Sequence, residues 1–198
     1  VLILGKLTDE EYNKRVARPK AAFEIFLDMD GVLSDFDSHA RNNGKYDAKG
    51  QPKWNELDSN WWATMPAYDG MKQFYSDMKK IGNVRMLTAP TLSSGCYRGK
   101  AEWVEAQFGK WGLNDLIICR AMDKHLLARP HHILIDDRQK NIDEWNAAGG
   151  IGILHTGDYA DTMARVQKAV AGYQAPKTPA NTDKPQHEKP QHGAIKPK

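Results

Sequence analysis

Five short β-prone runs, alternating with stretches of helical character, constrain this 198-residue chain more than any other feature. The runs occupy residues 23–27, 83–87, 116–119, 132–135 and 152–155. Helices are predicted over residues 34–43, 69–82, 99–108, 141–148 and 158–173. In the second of these, Met71, Phe74, Tyr75 and Met78 fall on one face, and Gly82 closes the helix. Gly149-Gly150 stops the fourth. Strands alternating with helices in this way pair in parallel, because each crossover returns the chain to the same end of the sheet. The expected fold is therefore α/β: a Rossmann-like, five-stranded parallel sheet with helices on both faces.

Outside this alternation the chain changes character. Residues 1–20 read as a separate arm, where Thr8-Asp9-Glu10-Glu11 has capping-box spacing for a short helix through Tyr12 to Val16, ended by Pro19. Residues 21–173 form the expected single domain. Residues 174–198 hold five of the ten prolines and the near-repeat Lys184-Pro185-Gln186-His187, Lys189-Pro190-Gln191-His192. That composition cannot bury enough apolar surface to fold, so a flexible tail is expected, its His pair at most a weak metal binder. Of 28 Lys and Arg and 25 Asp and Glu, five Lys, one Asp and one Glu lie in this tail, which leaves 23 of each sign in residues 1–173. A neutral folded part argues against a nucleic-acid partner for that part. No apolar run is long enough to span a bilayer, and Val1-Leu2-Ile3-Leu4-Gly5 is too short for the apolar region of a signal peptide. Two cysteines, Cys96 and Cys119, make no disulfide framework; buried free thiols and a cytoplasmic location are expected.

Chemistry concentrates where the runs end. The first run leads into Asp28-Met29-Asp30-Gly31-Val32, and the strand period of two puts Asp28 and Asp30 on the same side. Two carboxylates so close do not both ionise cheaply without a cation. The second run ends at Thr88 and the fourth at Asp136-Asp137. Ligands of open α/β sheets bind at these carboxyl ends. Phosphoryl transfer needs a nucleophile, a proton donor, a divalent cation and donors for the equatorial oxygens. Asp28 suits the first role and Asp30 the second, as general acid and then base. Asp136 and Asp137 would complete a hard oxygen site for Mg²⁺. Thr88 offers a hydroxyl and neighbouring N–H groups, and Lys124 or Lys100 would offset the clustered negative charge.

These segments resemble a known family. Leu27-Asp28-Met29-Asp30-Gly31-Val32-Leu33, Leu87-Thr88, Lys124 and Ile135-Asp136-Asp137 are similar to the four motifs of the haloacid dehalogenase-like (HAD) phosphatases. Within that superfamily, residues 28–36, 100–109 and 134–145 resemble the 5′(3′)-deoxyribonucleotidases. The resemblance implies an aspartyl-phosphate on Asp28, with Asp30 protonating the departing oxygen. It implies Mg²⁺ held by Asp28, the Asp30 backbone carbonyl and Asp136 or Asp137. Thr88 and Lys124 would hold the phosphoryl group. Lys124 is preferred to Lys100 because it lies just before the fourth strand, whereas Lys100 stands at the start of a helix and either meets the phosphate or is solvated.

The segment from about residue 37 to 68 resembles the small helical cap that this family inserts after the first strand. Phe36 matches the base-stacking position, and Trp61 and Trp62 lie where further aromatics are placed; their alternative role is to pack the cap onto the sheet. Trp54 is a weaker candidate for the same pocket. Arg120 and Arg138 are candidate phosphate contacts, Arg138 alternatively bonding backbone or a carboxylate. The reading is a Mg²⁺-dependent phosphomonoesterase acting on (deoxy)nucleoside 5′-monophosphates, with a homodimer as the oligomeric state common among related enzymes. Its rivals are a phosphatase for another phosphomonoester, such as a sugar phosphate or nucleic-acid end, and a binding protein that kept the fold without turnover.

Overall fold

A computed structural model describes residues 22–173. The expected N-terminal arm with its short helix, and the C-terminal tail with its histidine pair, lie outside the described residues. All five strands form: β1 (Glu24–Leu27), β2 (Asn83–Thr88), β3 (Leu116–Ile118), β4 (His132–Asp136) and β5 (Ile151–Leu154). They pair in parallel in the order β3-β2-β1-β4-β5. The chain steps outward from β1 to β3, then crosses back to lay β4 on the other side of β1. Between β1 and β4 the order reverses, and there the crevice at the carboxyl ends opens.

Register delivers the candidate residues to that crevice. Glu24 pairs with Asn83 on one side and His132 on the other, so Leu27 lies level with Met86 and Ile135. Asp28 therefore emerges beside the ends of β2 and β4, and its backbone N–H still donates to the Ile135 carbonyl at 2.8 Å.

Among the described residues six helices form: α1 (Phe36–Asn42), α2 (Ser59–Ala63), α3 (Met71–Ile81), α4 (Ser94–Phe108), α5 (Gln139–Ala147) and α6 (Tyr159–Gly172). Single 3-10 segments cover Trp54–Glu56, Lys110–Asp115 and Ala121–Leu127. Side chains alternate across the sheet. Ile25 and Leu27 of β1 join the core formed with Met71, Phe74 and Met78 of α3, Trp103 of α4 and Val166 of α6. Phe26 points to the other layer, with Leu134 of β4 and Ile142 and Trp145 of α5. Each fully buried side chain of this size contributes about 1.5–3 kcal/mol relative to exposure. No described helix is long and apolar enough to cross a membrane.

Two details differ from expectation. Helix α4 begins at Ser94 rather than residue 99, because the Ser93 hydroxyl accepts from the Gly95 N–H at 3.2 Å and caps it. Gly95 and Gly99 lower the helical propensity of that stretch and hide its true start. Lys100 consequently lies in the interior of the helix, not at its beginning. Cys96 is buried as expected, but Cys119, just past the end of the edge strand β3, is only half-buried; both are free thiols.

Candidate active site

The Asp28 carboxylate is fixed on one oxygen. Its Oδ1 accepts from the Met29 N–H at 2.7 Å and lies 2.9 Å from Lys124 Nζ. The same ammonium donates to Asp136 Oδ2 at 2.8 Å. Lys124 reaches this point from the 3-10 segment that crosses back ahead of β4, and only 2% of its side chain is exposed. Asp136 is further held by the Arg138 N–H and by Asn141 Nδ2, each at 2.9 Å. Burial alone would lower the Lys124 ammonium, but Asp28 and Asp136 outweigh it and hold it above the ordinary lysine value. Burial is also the largest influence on Asp28 and pushes it up to about 7, with Lys124 pulling the other way.

A second lysine organises the other carboxylate. Lys100, fully buried in α4, lies 2.5 Å from Asp30 Oδ2 and donates to Thr88 Oγ1 at 2.7 Å. The Ser34 hydroxyl lies 3.3 Å from Asp30 Oδ1. Asp28 and Asp30 thus each have their own cation, which resolves the repulsion expected from their spacing.

Asp28, Asp136 and Asp137 offer carboxylate oxygens that all lie within 4.8 Å of one another. Partial desolvation, then the adjacent Asp136 charge, pushes Asp137 up to about 6. Three oxygen donors with no sulfur or imidazole fit a hard divalent cation such as Mg²⁺. Gly31 permits this approach. Its φ is +81°, and a Cβ there would overlap the Asp137 carboxylate.

Among solved structures, a haloacid dehalogenase-like family hydrolase from Xanthomonas campestris superposes with a TM-score of 0.54, at 12% identity over 78% of this chain and 94% of that one. The fold is that of the haloacid dehalogenase-like hydrolases. A magnesium-bound HAD-hydrolase from Bacillus subtilis matches with a TM-score of 0.44 at 12% identity, covering 70% of this chain and 89% of that one. No family model and no curated protein matches the sequence.

In this HAD-like fold, Asp28, Asp30, Thr88, Lys100, Lys124, Asp136 and Asp137 come together at the carboxyl ends of β1, β2 and β4. The Asp30 side chain stands outside the acidic triplet and faces Lys100 instead. Lys100, ranked below Lys124 from sequence, is as firmly placed. Asn141, which starts a predicted helix within the segment 134–145 that resembles the nucleotidases, bonds both Asp136 oxygens at 2.9 Å. Its position, an amide in the first turn after a strand-end Asp, was the available signal.

The inserted segment forms α1, a 3-10 turn and α2, with an aromatic cluster inside. Phe36 stacks with Trp54 at 5.7 Å between centroids, and meets Trp61 at 5.3 Å and Trp62 at 5.7 Å. Trp62 is 1% and Trp61 7% exposed, whereas Trp54 is 47% exposed. Trp61 and Trp62 therefore act mainly as packing, while Phe36 and Trp54 hold the more open face. Lys100 Nζ lies 4.9 Å from the Trp62 ring centroid, which ties this cluster to the Asp30 carboxylate.

Gly99 sets how closely α2 rides on α4. A Cβ there would overlap the Ser59 carbonyl and come 2.5 Å from Trp62 Cβ. Gly99→Ala is expected to cost about 1–3 kcal/mol by overpacking, despite the better helix propensity of alanine. Urea unfolding measures this; unchanged stability would mean that α2 is not seated as described.

Proposed function

We propose that the protein is a Mg²⁺-dependent phosphomonoesterase that hydrolyses (deoxy)nucleoside 5′-monophosphates through an aspartyl-phosphate. The observation that carries this reading is the double ion pair: Asp28 on Lys124 and Asp30 on Lys100, beside two further carboxylates. Both polar contacts on Asp28 fall on Oδ1, leaving Oδ2 to attack phosphorus in line with the leaving oxygen. Lys124 favours the ionised form that attack requires. Bound at Asp28, Asp136 and Asp137, Mg²⁺ would neutralise charge on the phosphoryl oxygens.

Asp30 serves the proton. Lys100 holds it in place, so that it can take the proton of the attacking water in the second half-reaction. For the first half-reaction it must carry the proton that the leaving oxygen takes. Asp30 then donates to the departing 5′ oxygen, and the bond between phosphorus and that oxygen breaks.

The nucleotide part of the proposal rests on Phe36 and the exposed face of Trp54, where stacking contributes about 1–3 kcal/mol per base. The burial of Trp61 and Trp62 favours a second reading, a smaller phosphomonoester such as a sugar phosphate, for which those rings only pack the cap. The free thiols agree with the reducing, cytoplasmic setting that the proposal assumes.

A panel of deoxynucleoside, ribonucleoside and sugar monophosphates, assayed for phosphate release, decides between them. Nucleotides are expected to be preferred by about tenfold or more in kcat/KM. Equal rates across the panel would remove the base pocket. Treatment with EDTA should silence turnover and added Mg²⁺ restore it; activity indifferent to both would remove the metal site.

A further inference from the structure

Beside the catalytic carboxylates lies a cleft of about 310 Å³ that the mechanism leaves unused. It opens between the 3-10 segment Ala121–Leu127 and the start of α5, so its walls follow the ends of β3 and β4. Three cations, Arg120, Arg138 and Lys140, line it against the one carboxylate of Glu144. Lys140 and Glu144 are 3.8 Å apart, a loose pair on the exposed face of α5. The Arg120 guanidinium is held in position by a two-point contact with Asp123, at 2.7 and 3.0 Å. Arg138 enters no ion pair among the described residues, and no side chain caps the N-terminus of α5. Arg138 is thus the cation of this cleft without an ion pair among the described residues, beside Arg120 and Lys140, whose charges Asp123 and Glu144 offset in part.

Asn141 joins the cleft to the reacting centre. It lines the cleft and bonds Asp136, whose Oδ2 is 2.8 Å from Lys124 Nζ, itself 2.9 Å from Asp28. An anion in the cleft is thus separated from the nucleophile by a short chain of bonded side chains. The guanidinium fork of Arg138, with the remaining N–H groups of Arg120, matches the oxygens of a phosphate better than those of any uncharged group.

We propose that this cleft is a second phosphate subsite, binding a phosphate carried on the leaving group of the substrate. The inference rests on the nucleotidase-like reading above and sharpens its substrate class. The substrate favoured is a nucleoside bearing both the scissile 5′-phosphate and a second phosphate on the same sugar, free or in a diester. A free second phosphate corresponds to a nucleoside 3′,5′-bisphosphate; a diester corresponds to the 5′ end of an oligonucleotide.

The test compares thymidine 5′-monophosphate, thymidine 3′,5′-bisphosphate and the 5′-phosphorylated dinucleotide pTpT, as ratios of kcat/KM within each protein. Ratios cancel any general loss of fold or turnover. In the wild type, the better of the two doubly charged substrates should exceed the monophosphate by about tenfold, the scale of one charge-assisted bond. In Arg138→Ala and in Arg120→Ala/Arg138→Ala, that ratio should fall towards one. Preference for the bisphosphate identifies a free phosphate as the occupant, and preference for pTpT identifies a diester. A wild-type ratio near one, or a tenfold ratio that survives the double substitution, overturns the subsite. Calorimetric binding of the same three compounds to Asp28→Asn separates this from failure of the underlying reading. If the wild type hydrolyses no nucleotide but Asp28→Asn binds the bisphosphate about tenfold more tightly than the monophosphate, and the double substitution removes that difference, the subsite stands without the nucleotidase. Equal binding, or none, removes it.

Discussion

Asp28→Asn should abolish phosphate release, by at least about 10,000-fold, while the protein stays folded with a melting temperature close to that of the wild type. The two halves of this expectation have separate physical origins. Asparagine has the shape of aspartate and keeps an acceptor oxygen for the Met29 N–H and for Lys124, so local geometry survives. An amide oxygen is a poor nucleophile, so the covalent step is lost outright. Stability changes little because the substitution removes a costly charge as well as a useful one. Burial and the nearby Asp136 charge push the Asp28 carboxyl up to about 7, which marks its ionised form as disfavoured. Against this, Lys124 loses one of its two charged partners and keeps the other, Asp136. Phosphate-release kinetics together with thermal unfolding separate the two halves. Turnover retained near the wild-type rate would exclude Asp28 as nucleophile, and a collapsed melting temperature would show that its charge holds the fold.

The strands and the polar residues gathered at their ends were legible because both follow from short-range rules. An apolar run followed by Asp28-Met29-Asp30-Gly31 reports a strand, a carboxylate pair and a left-handed turn in a few residues. Parallel pairing then needs only the alternation of runs and helices. Less legible were positions set by long-range packing. Lys100 looked like a helix-start residue because Gly95 and Gly99 mask the first turns of α4, yet those glycines are what allow α2 to sit close against the helix. The burial of Lys100 follows from that contact and from Asp30, 70 residues away in sequence. Asn141 carries only an ambiguous local sign of its bond to Asp136, since an amide in the first turn after a strand-end Asp serves many purposes. In the inserted segment, tryptophans that pack and tryptophans that meet a ligand have the same composition and spacing. Only burial distinguishes Trp62 from Trp54.

Lys124→Met is the substitution expected to cost the most stability, about 3–5 kcal/mol at pH 8. Methionine keeps the length and apolar stem of lysine, so the loss is that of the ammonium alone. Removing it leaves Asp28 and Asp136 facing each other without the cation that now bridges them at 2.9 and 2.8 Å. Asn141 and the Arg138 N–H still serve Asp136, but neither carries a charge at the bond. The pH dependence follows from the sign of the Asp28 shift. Its folded value is already raised to about 7, above the ordinary carboxylate value near 3.8. Loss of Lys124 removes the main influence that lowers it. A carboxyl raised in the folded state keeps its full stability below the unfolded value and loses it as pH rises through the folded one. The deficit of the variant should therefore grow as pH rises from about 7 towards the variant's own, higher Asp28 value, and be smaller at pH 5.5 than at pH 8. Mg²⁺ should shrink it at pH 8 as well, because a cation held by Asp28, Asp136 and Asp137 replaces the missing charge. Urea unfolding at pH 5.5 and pH 8, with and without Mg²⁺, measures all three effects. Lys100→Met should cost less, since Asp30 is 27% exposed and regains water when its partner is lost. A Lys124 variant equally stable at both pH values and indifferent to Mg²⁺ would mean that the clustered carboxylates are balanced by something other than this lysine.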